Sequence, residues 1–170
     1  MQISSRFTVA VHTLLCIAQF GTTSKVTSQL VSGSTGQNPV VIRRSFGQLK
    51  QGGLINVERG TGGATFARNP ADITLLDVFR ATEGEEGEFF GFHEKPNPDC
   101  PVGHNIHAVL DPEIQAAMRA FERRLEVVTV QDLIDRLNGL VEREGMDAHD
   151  GSAALRGAAA RADAAQPSVG

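Results

Sequence analysis

A mainly α fold with one small β-hairpin is what the 170-residue sequence predicts, on three observations. Apolar residues recur at intervals of three and four along most of the chain. Serine, threonine, asparagine or aspartate stands at the head of most of these runs, with proline next at two of them. The one stretch of strand character, residues 54–67, folds over the glycine-rich loop Arg59-Gly60-Thr61-Gly62-Gly63.

Residues 6–20 place Phe7, Val11, Leu14, Leu15 and Ala18 on one helical face, with Ser4 or Ser5 as cap and Gly21 as stop. A short helix over 25–31 has Val26, Leu30 and Val31 inward, and a turn at 33–36 follows. Asn38-Pro39 starts the next helix, whose inner stripe is Ile42, Phe46 and Leu49 and whose end is Gly52-Gly53. Leu54, Ile55 and Val57 form a strand, and 64–67 its partner. Thr74 caps a helix carrying Leu75, Val78 and Phe79. Residues 84–91 are acidic and glycine-rich, as a linker is, and a proline-spaced loop around Cys100 follows. Asp111-Pro112 is expected to open a long helix, and Thr129 to cap another bearing Leu133, Ile134, Leu137 and Leu140. These readings divide the chain into residues 1–82, a linker with a loop over 83–104, a helical segment over 105–144, and a tail over 145–170. The tail lacks apolar periodicity and is expected to be disordered.

Charge separates the parts. Through residue 70 the chain carries Arg6, Lys25, Arg43, Arg44, Lys50, Arg59 and Arg68 against the single acid Glu58, a net of +6. The remainder nets -10, so the overall -4 conceals a basic half suited to a polyanion. No apolar run has the length of a membrane span, and no basic leader with a cleavage site is present. Two cysteines, Cys16 and Cys100, fit a reducing cytoplasm rather than a disulfide scaffold.

Helix, short turn, helix and hairpin, in that order, make a winged helix-turn-helix, whose expected partner is double-stranded DNA. One stripe of the second helix must be buried to hold it rigid, and the other face then reaches base edges. The outward residues are Asn38, Val40, Val41, Arg43 and Arg44. Arginine bonds a guanine edge bidentately, and valine meets a thymine methyl. Arg59 on the hairpin loop suits a narrow minor groove, while Gly60 and its neighbours allow close approach to phosphate. Ser24, Thr27 and Lys50 are candidate phosphate contacts.

The run NPVVIRRSFGQLKQGGLINVERGTGGATFARNPADITLLDVFRATEG resembles the Rrf-two family of winged-helix transcriptional regulators, and the resemblance extends over residues 3–140. It implies a dimeric, sequence-specific regulator, expected to be a repressor, on a palindromic operator. It puts base-reading positions on Asn38, Val40, Val41 and Arg43, and the wing arginine on Arg59. The helix bearing Ile114, Ala117, Met118, Phe121 and Leu125 resembles the family's dimerisation helix, which would set two reading helices roughly 34 Å apart. Two departures stand out. Ala64 takes a place where an aromatic often follows the wing glycines, and Arg43 and Arg44 replace less basic residues, so a different target sequence is expected.

Iron–sulfur members of that family hold their cluster with three cysteines in the loop before the dimer helix, where this chain has only Cys100. No cofactor or metal is therefore expected. The alternative is a mixed site recruiting His93, His104, His107 and His12. The motif NPDCPVG resembles a single-cysteine subgroup that senses oxidants or electrophiles. A thiol at the head of a helix beginning at Pro101 would feel the positive helix end, which favours a reactive thiolate. The competing view of Cys100 is a small loop anchor. Cys16, among Leu14, Leu15 and Ile17, reads as a buried hydrophobe.

Two other classes remain open: a winged-helix adaptor that binds protein rather than DNA, and a small thiol enzyme pairing Cys100 with His93, His104 or His107. The chain has no metalloprotease motif and no phosphate loop, and it is expected not to be an enzyme.

Overall fold

The computed structural model describes residues 5–58, 62–84, 93 and 95–145. Within them the order is α1 (Arg6–Phe20), α2 (Ser28–Thr35), α3 (Pro39–Gln51), β1 (Ile55–Glu58), β2 (Gly63–Phe66), a 3-10 turn (Pro70–Asp72), α4 (Leu75–Glu83), α5 (Pro101–Glu126) and α6 (Val130–Glu144). The expected linker over 84–91 lies outside the described residues apart from Gly84, and so does the tail beyond Gly145.

Short polar side chains set most of the helix starts. Thr27, Thr74 and Thr129 each accept the N–H bond that opens α2, α4 and α6, and the last two form reciprocal boxes with Asp77 and Asp132. Asparagine followed by proline does the same work twice more. Asn38 Oδ1 accepts from the Val40 N–H at 2.8 Å, and Asn69 Oδ1 from that of Ala71 at 3.0 Å. In both cases proline fills the first helical position, where a missing N–H leaves no bond unmade.

These starts orient four helices and the hairpin around one core. Leu14 and Ile17 of α1, Val31 of α2, Ile42 and Leu49 of α3, Ile55 of β1 and Val78 of α4 are all buried there. The hairpin is antiparallel, with Ile55 opposite Phe66 and Glu58 opposite Gly63. It is also stapled to the start of α2, because the Ala64 N–H donates to the Val26 carbonyl at 2.9 Å. Gly63 makes that approach possible. Its φ is +82°, and a Cβ there would stand 3.0 Å from Val26 N and 3.2 Å from Val26 O.

The second half differs from expectation in two ways. The long helix begins at Pro101 rather than Asp111 and runs through Pro112. Proline has no N–H for the Ala108 carbonyl, but both residues are exposed, on the side of the helix where losing that bond costs least. The sequence division at residue 104 thus falls inside α5.

The other difference concerns α6, which returns to the first domain. Thr74 and Thr129 form an antiparallel bridge, Leu75 N donates to Val128 O, and Val130 N donates to Ile73 O, both at 2.8 Å. Val130 is buried in the common core, and Ile134 packs against it. By contrast α5 buries none of its 26 residues. Its clearest anchor is Phe121, set edge-on to Phe79 of α4 at 5.4 Å, while Phe79 meets Phe7 of α1 at 5.9 Å.

Two glycines separate backbone strain from steric conflict. Gly53 also has a positive φ, +68°, but its absent Cβ faces open space. Gly53→Ala should therefore lose only the left-handed backbone term, about 1–2 kcal/mol. Gly63→Ala should lose more, because the hairpin must also back away from Val26. Urea unfolding of the two variants measures the difference, and equal losses would contradict the Val26 staple.

Candidate nucleic-acid interface

Residues 36–38 separate α2 from α3, with Gly36 in the left-handed conformation at the end of α2. This is the tight corner that a helix-turn-helix requires. Along α3 the buried residues are Ile42, Ser45, Phe46 and Leu49, so the opposite face points to solvent. That face carries Val40, Val41, Arg43, Arg44, Gly47 and Lys50, all exposed, and α3 contains no acidic residue. A cationic ridge on a rigidly held helix is the electrostatic shape that fits a phosphate-lined groove.

The far end of α3 is held by contacts not foreseen from the sequence. Gln48 Nε2 donates to the Thr82 carbonyl near the end of α4, at 2.9 Å. At Gly52 a Cβ would lie 2.8 Å from the Ala81 Cβ, so α3 and α4 meet where a side chain would not fit. Ser45 sits among the buried residues of α3 with its hydroxyl unpaired. On the other side of the corner, Ser34 Oγ lies 2.8 Å from His12 Nε2. Partial burial there lowers the histidine's proton affinity. Polar partners across helices leave no periodic trace, which is why the apolar pattern did not reveal them.

The remaining predicted contacts are arranged as follows. Asn38 is exposed, with Oδ1 engaged in its cap. Ser24 is half-buried just after α1, and its N–H donates to the Phe20 carbonyl at 2.8 Å. Thr27 Oγ1 accepts from the Leu30 N–H as the α2 cap. Both therefore stand at the head of α2, beside the base of the hairpin that Val26 holds. Lys50 lies exposed in the last turn of α3. Arg59 and Gly60, the expected wing contacts, lie outside the described residues.

Cys100 occupies the cap position of α5, half-buried, with Pro101 next. The Gly103 and Val102 backbone amides hold its thiol below the ordinary range, although the sulfur forms no capping bond of full geometry. Gly103 admits the preceding loop so closely that a Cβ would run into the Asn97 carbonyl. Burial raises the Cys16 thiol instead, against a smaller opposing effect from Ser34. His107 Nδ1 lies 3.2 Å from Asp111 Oδ1, and its ring stacks on that of His93 at 6.0 Å. His104 is exposed on the first turns of α5. On the same helix Ile114, Met118 and Leu125 are half-buried, while Ala117 and Phe121 are exposed.

A family model described as "Iron-dependent Transcriptional regulator", Rrf2, matches residues 3–136. Among the described residues no three His, Cys, Asp or Glu side chains converge as metal ligands, and the chain's two cysteines sit in separate helical regions. YwnA of Bacillus subtilis (strain 168), named as an HTH-type transcriptional regulator, is 38% identical over 135 residues, which span 79% of this chain and 98% of YwnA. A crystal structure described as a DNA-binding protein shares 32% identity with a TM-score of 0.60, covering 76% of this chain and 99% of its own. A regulator structure from Lactobacillus plantarum shares 27% identity with a TM-score of 0.67, covering 84% and 98%. With the winged helix in place and the family model spanning most of its length, this chain belongs to the Rrf2 family of DNA-binding transcriptional regulators.

Proposed function

We propose that the protein acts in the cytoplasm as a homodimer that reads a palindromic operator, represses from it, and releases or reseats when Cys100 is modified. The observation that carries the DNA reading is the outer face of α3, where Arg43, Arg44 and Lys50 are exposed and no carboxylate opposes them. A helix held on its inner stripe presents such side chains to the major groove at little entropic loss, because its backbone is already fixed. Arg43 and Arg44 are the base-reading cations, joined by Asn38, Val40 and Val41. Lys50, Ser24 and Thr27 position the duplex through phosphate, and Arg59 and Gly60 reach the neighbouring groove.

Dimerisation is supported by α5. A helix of 26 residues with no buried side chain carries Ile106, Leu110, Ile114, Ala117, Met118, Phe121 and Leu125 along one face. Leu110, Ala117 and Phe121 are exposed and the other four half-buried, and apolar side chains left open to water along a helix mark association surfaces. A second copy supplies the same stripe by two-fold symmetry and sets the spacing of the two reading helices.

The sensor reading rests on Cys100 standing between the DNA-binding head and that stripe. A thiolate favoured by the first-turn amides reacts with peroxide or an electrophile, and the added group alters the head of α5, where the Cys100 N–H is bonded to the Asn97 carbonyl. Only a difference in fit between the two head arrangements changes operator affinity.

Arg43→Ala should weaken operator binding by about 1–3 kcal/mol and relax preference at one base step, whereas Lys50→Ala should weaken all duplexes alike and lower the salt slope by about one. Binding curves at several salt concentrations check both, and binding indifferent to salt would favour the adaptor class. Ala117→Glu, at an exposed position, should convert a two-chain particle to one chain in sedimentation equilibrium while helical circular dichroism persists. Alkylation of Cys100 should accelerate at a pH below the ordinary cysteine midpoint of about 8.5, since its folded proton affinity is lowered. The same lowering adds stability above the unfolded midpoint, which is lost as pH falls through the folded one. Cys100→Ser should abolish the oxidant response of operator binding, and an unchanged response removes this thiol from the mechanism.

A further inference from the structure

The first turn of α3 presents a surface that cationic DNA binding does not require. Val40 is 61% exposed and Val41 39% exposed, two adjacent branched apolar side chains on a helix that otherwise shows water mostly polar or charged groups. Neither favours the helix by propensity, because a β-branched side chain loses rotamer freedom against the preceding turn. Neither contributes to the core, whose α3 members are Ile42, Ser45, Phe46 and Leu49. Both flank the Asn38 cap, which fixes their backbone directly: the Val40 N–H is bonded to Asn38 Oδ1 at 2.8 Å and the Val41 N–H to Asn38 O at 2.9 Å. The first turn of a reading helix is the part that reaches base edges. Arg43 and Arg44 follow within one turn, so charge draws the same end of the helix toward the groove.

We propose that Val40 and Val41 form an apolar reader for the C5-methyl groups of pyrimidines. This inference rests on the DNA-binding reading above and names the chemistry it selects. In the major groove a thymine differs from a cytosine by its O4 acceptor and its methyl, and only the methyl offers an apolar partner to valine. Two successive valines, about 100° apart around the helix, suit methyls on neighbouring steps rather than one shared methyl. The same methyl is carried by 5-methylcytosine. The chemistry thus has two sources, thymine as a fixed letter of the operator and methylated cytosine as a mark upon it. Burying one methyl against valine is worth about fourfold in affinity by the transfer value of a single carbon.

The test begins with a duplex site selected from a random library by the full-length protein. Thymines of each half-site are then replaced one at a time by uracil, which removes the methyl and leaves base pairing intact. Binding should fall about fourfold at one or two positions per half-site. At those positions cytosine and 5-methylcytosine, each paired with guanine, form the second arm. A methylcytosine that recovers affinity over cytosine assigns reading to the methyl from either source. Recovery absent despite a uracil effect assigns it to thymine alone. Val40→Ala with Val41→Ala should erase the uracil effect while leaving the salt slope unchanged. Both sites are solvent-facing and alanine is the better helix former, so the doubly substituted protein retains its fold. Equal wild-type affinity for thymine and uracil sites, with salt-dependent binding intact, would overturn the methyl reader and leave the DNA-binding reading standing. Loss of salt-dependent binding to every duplex would instead overturn the reading on which it rests.

Discussion

Everything the head can do depends on how α3 is fixed. A helix of 13 residues is marginal by itself in water, so its geometry is imposed by the stripe it buries. Ile42, Phe46 and Leu49 lock that stripe into the core, the Asn38–Pro39 start fixes its first turn, and Gln48 ties its far end to the Thr82 carbonyl. Because rotation about the helix axis is removed at both ends, the identities of the residues on the outer face become spatial information. A loosely held helix with the same arginines would bind polyanions without reading them.

The hairpin is part of the same clamp rather than an appendage. Its β2 strand bonds to Val26 at the head of α2, and its β1 strand follows α3 after the short turn at Gly52 and Gly53. The wing base and the two helices of the turn therefore move as one body. Gly63 is the position at which this closure favours glycine, since its φ strains any side chain and its nearness to Val26 leaves a Cβ tight.

Elements governed by local chemistry were readable from the chain. The extent of α1, the Asn38–Pro39 start, the hairpin within 54–67 and the Thr74 and Thr129 caps all express themselves within a few residues, and each is where the pattern put it. The inner face of α1 is not: of Phe7, Val11, Leu14, Leu15 and Ala18 only Leu14 is buried, and the core side runs through Val9, Ala10, Thr13, Cys16, Ile17 and Phe20, because the helix is apolar nearly all round and its spacing does not single out one stripe. The start of α5 was misread because proline inside a helix looks like a beginning; exposure at Pro112 is what lets the helix pass. Position mattered equally for the α2 boundary. Thr27 serves as its cap, which shifts the helix to Ser28–Thr35, beyond the expected 25–31. The Gln48, Ser34 and Val26 contacts join residues far apart in sequence, and no local spacing encodes them. At the candidate site, the outward placement of Val40, Val41, Arg43 and Arg44 followed from the buried stripe alone, and Arg59 and Gly60 lie outside the described residues.

The bridge between Thr74 and Thr129 has a consequence for how the polypeptide matures. Ile73 and Val130 bury each other's surroundings, yet more than fifty positions separate them. The reading head is closed by a strip of chain made only after the long exposed helix. A nascent chain halted before that point holds an open seam beside Ile73 and Val78. A finished head therefore requires the whole of α5 to be made first, so the two are joined in one order of synthesis.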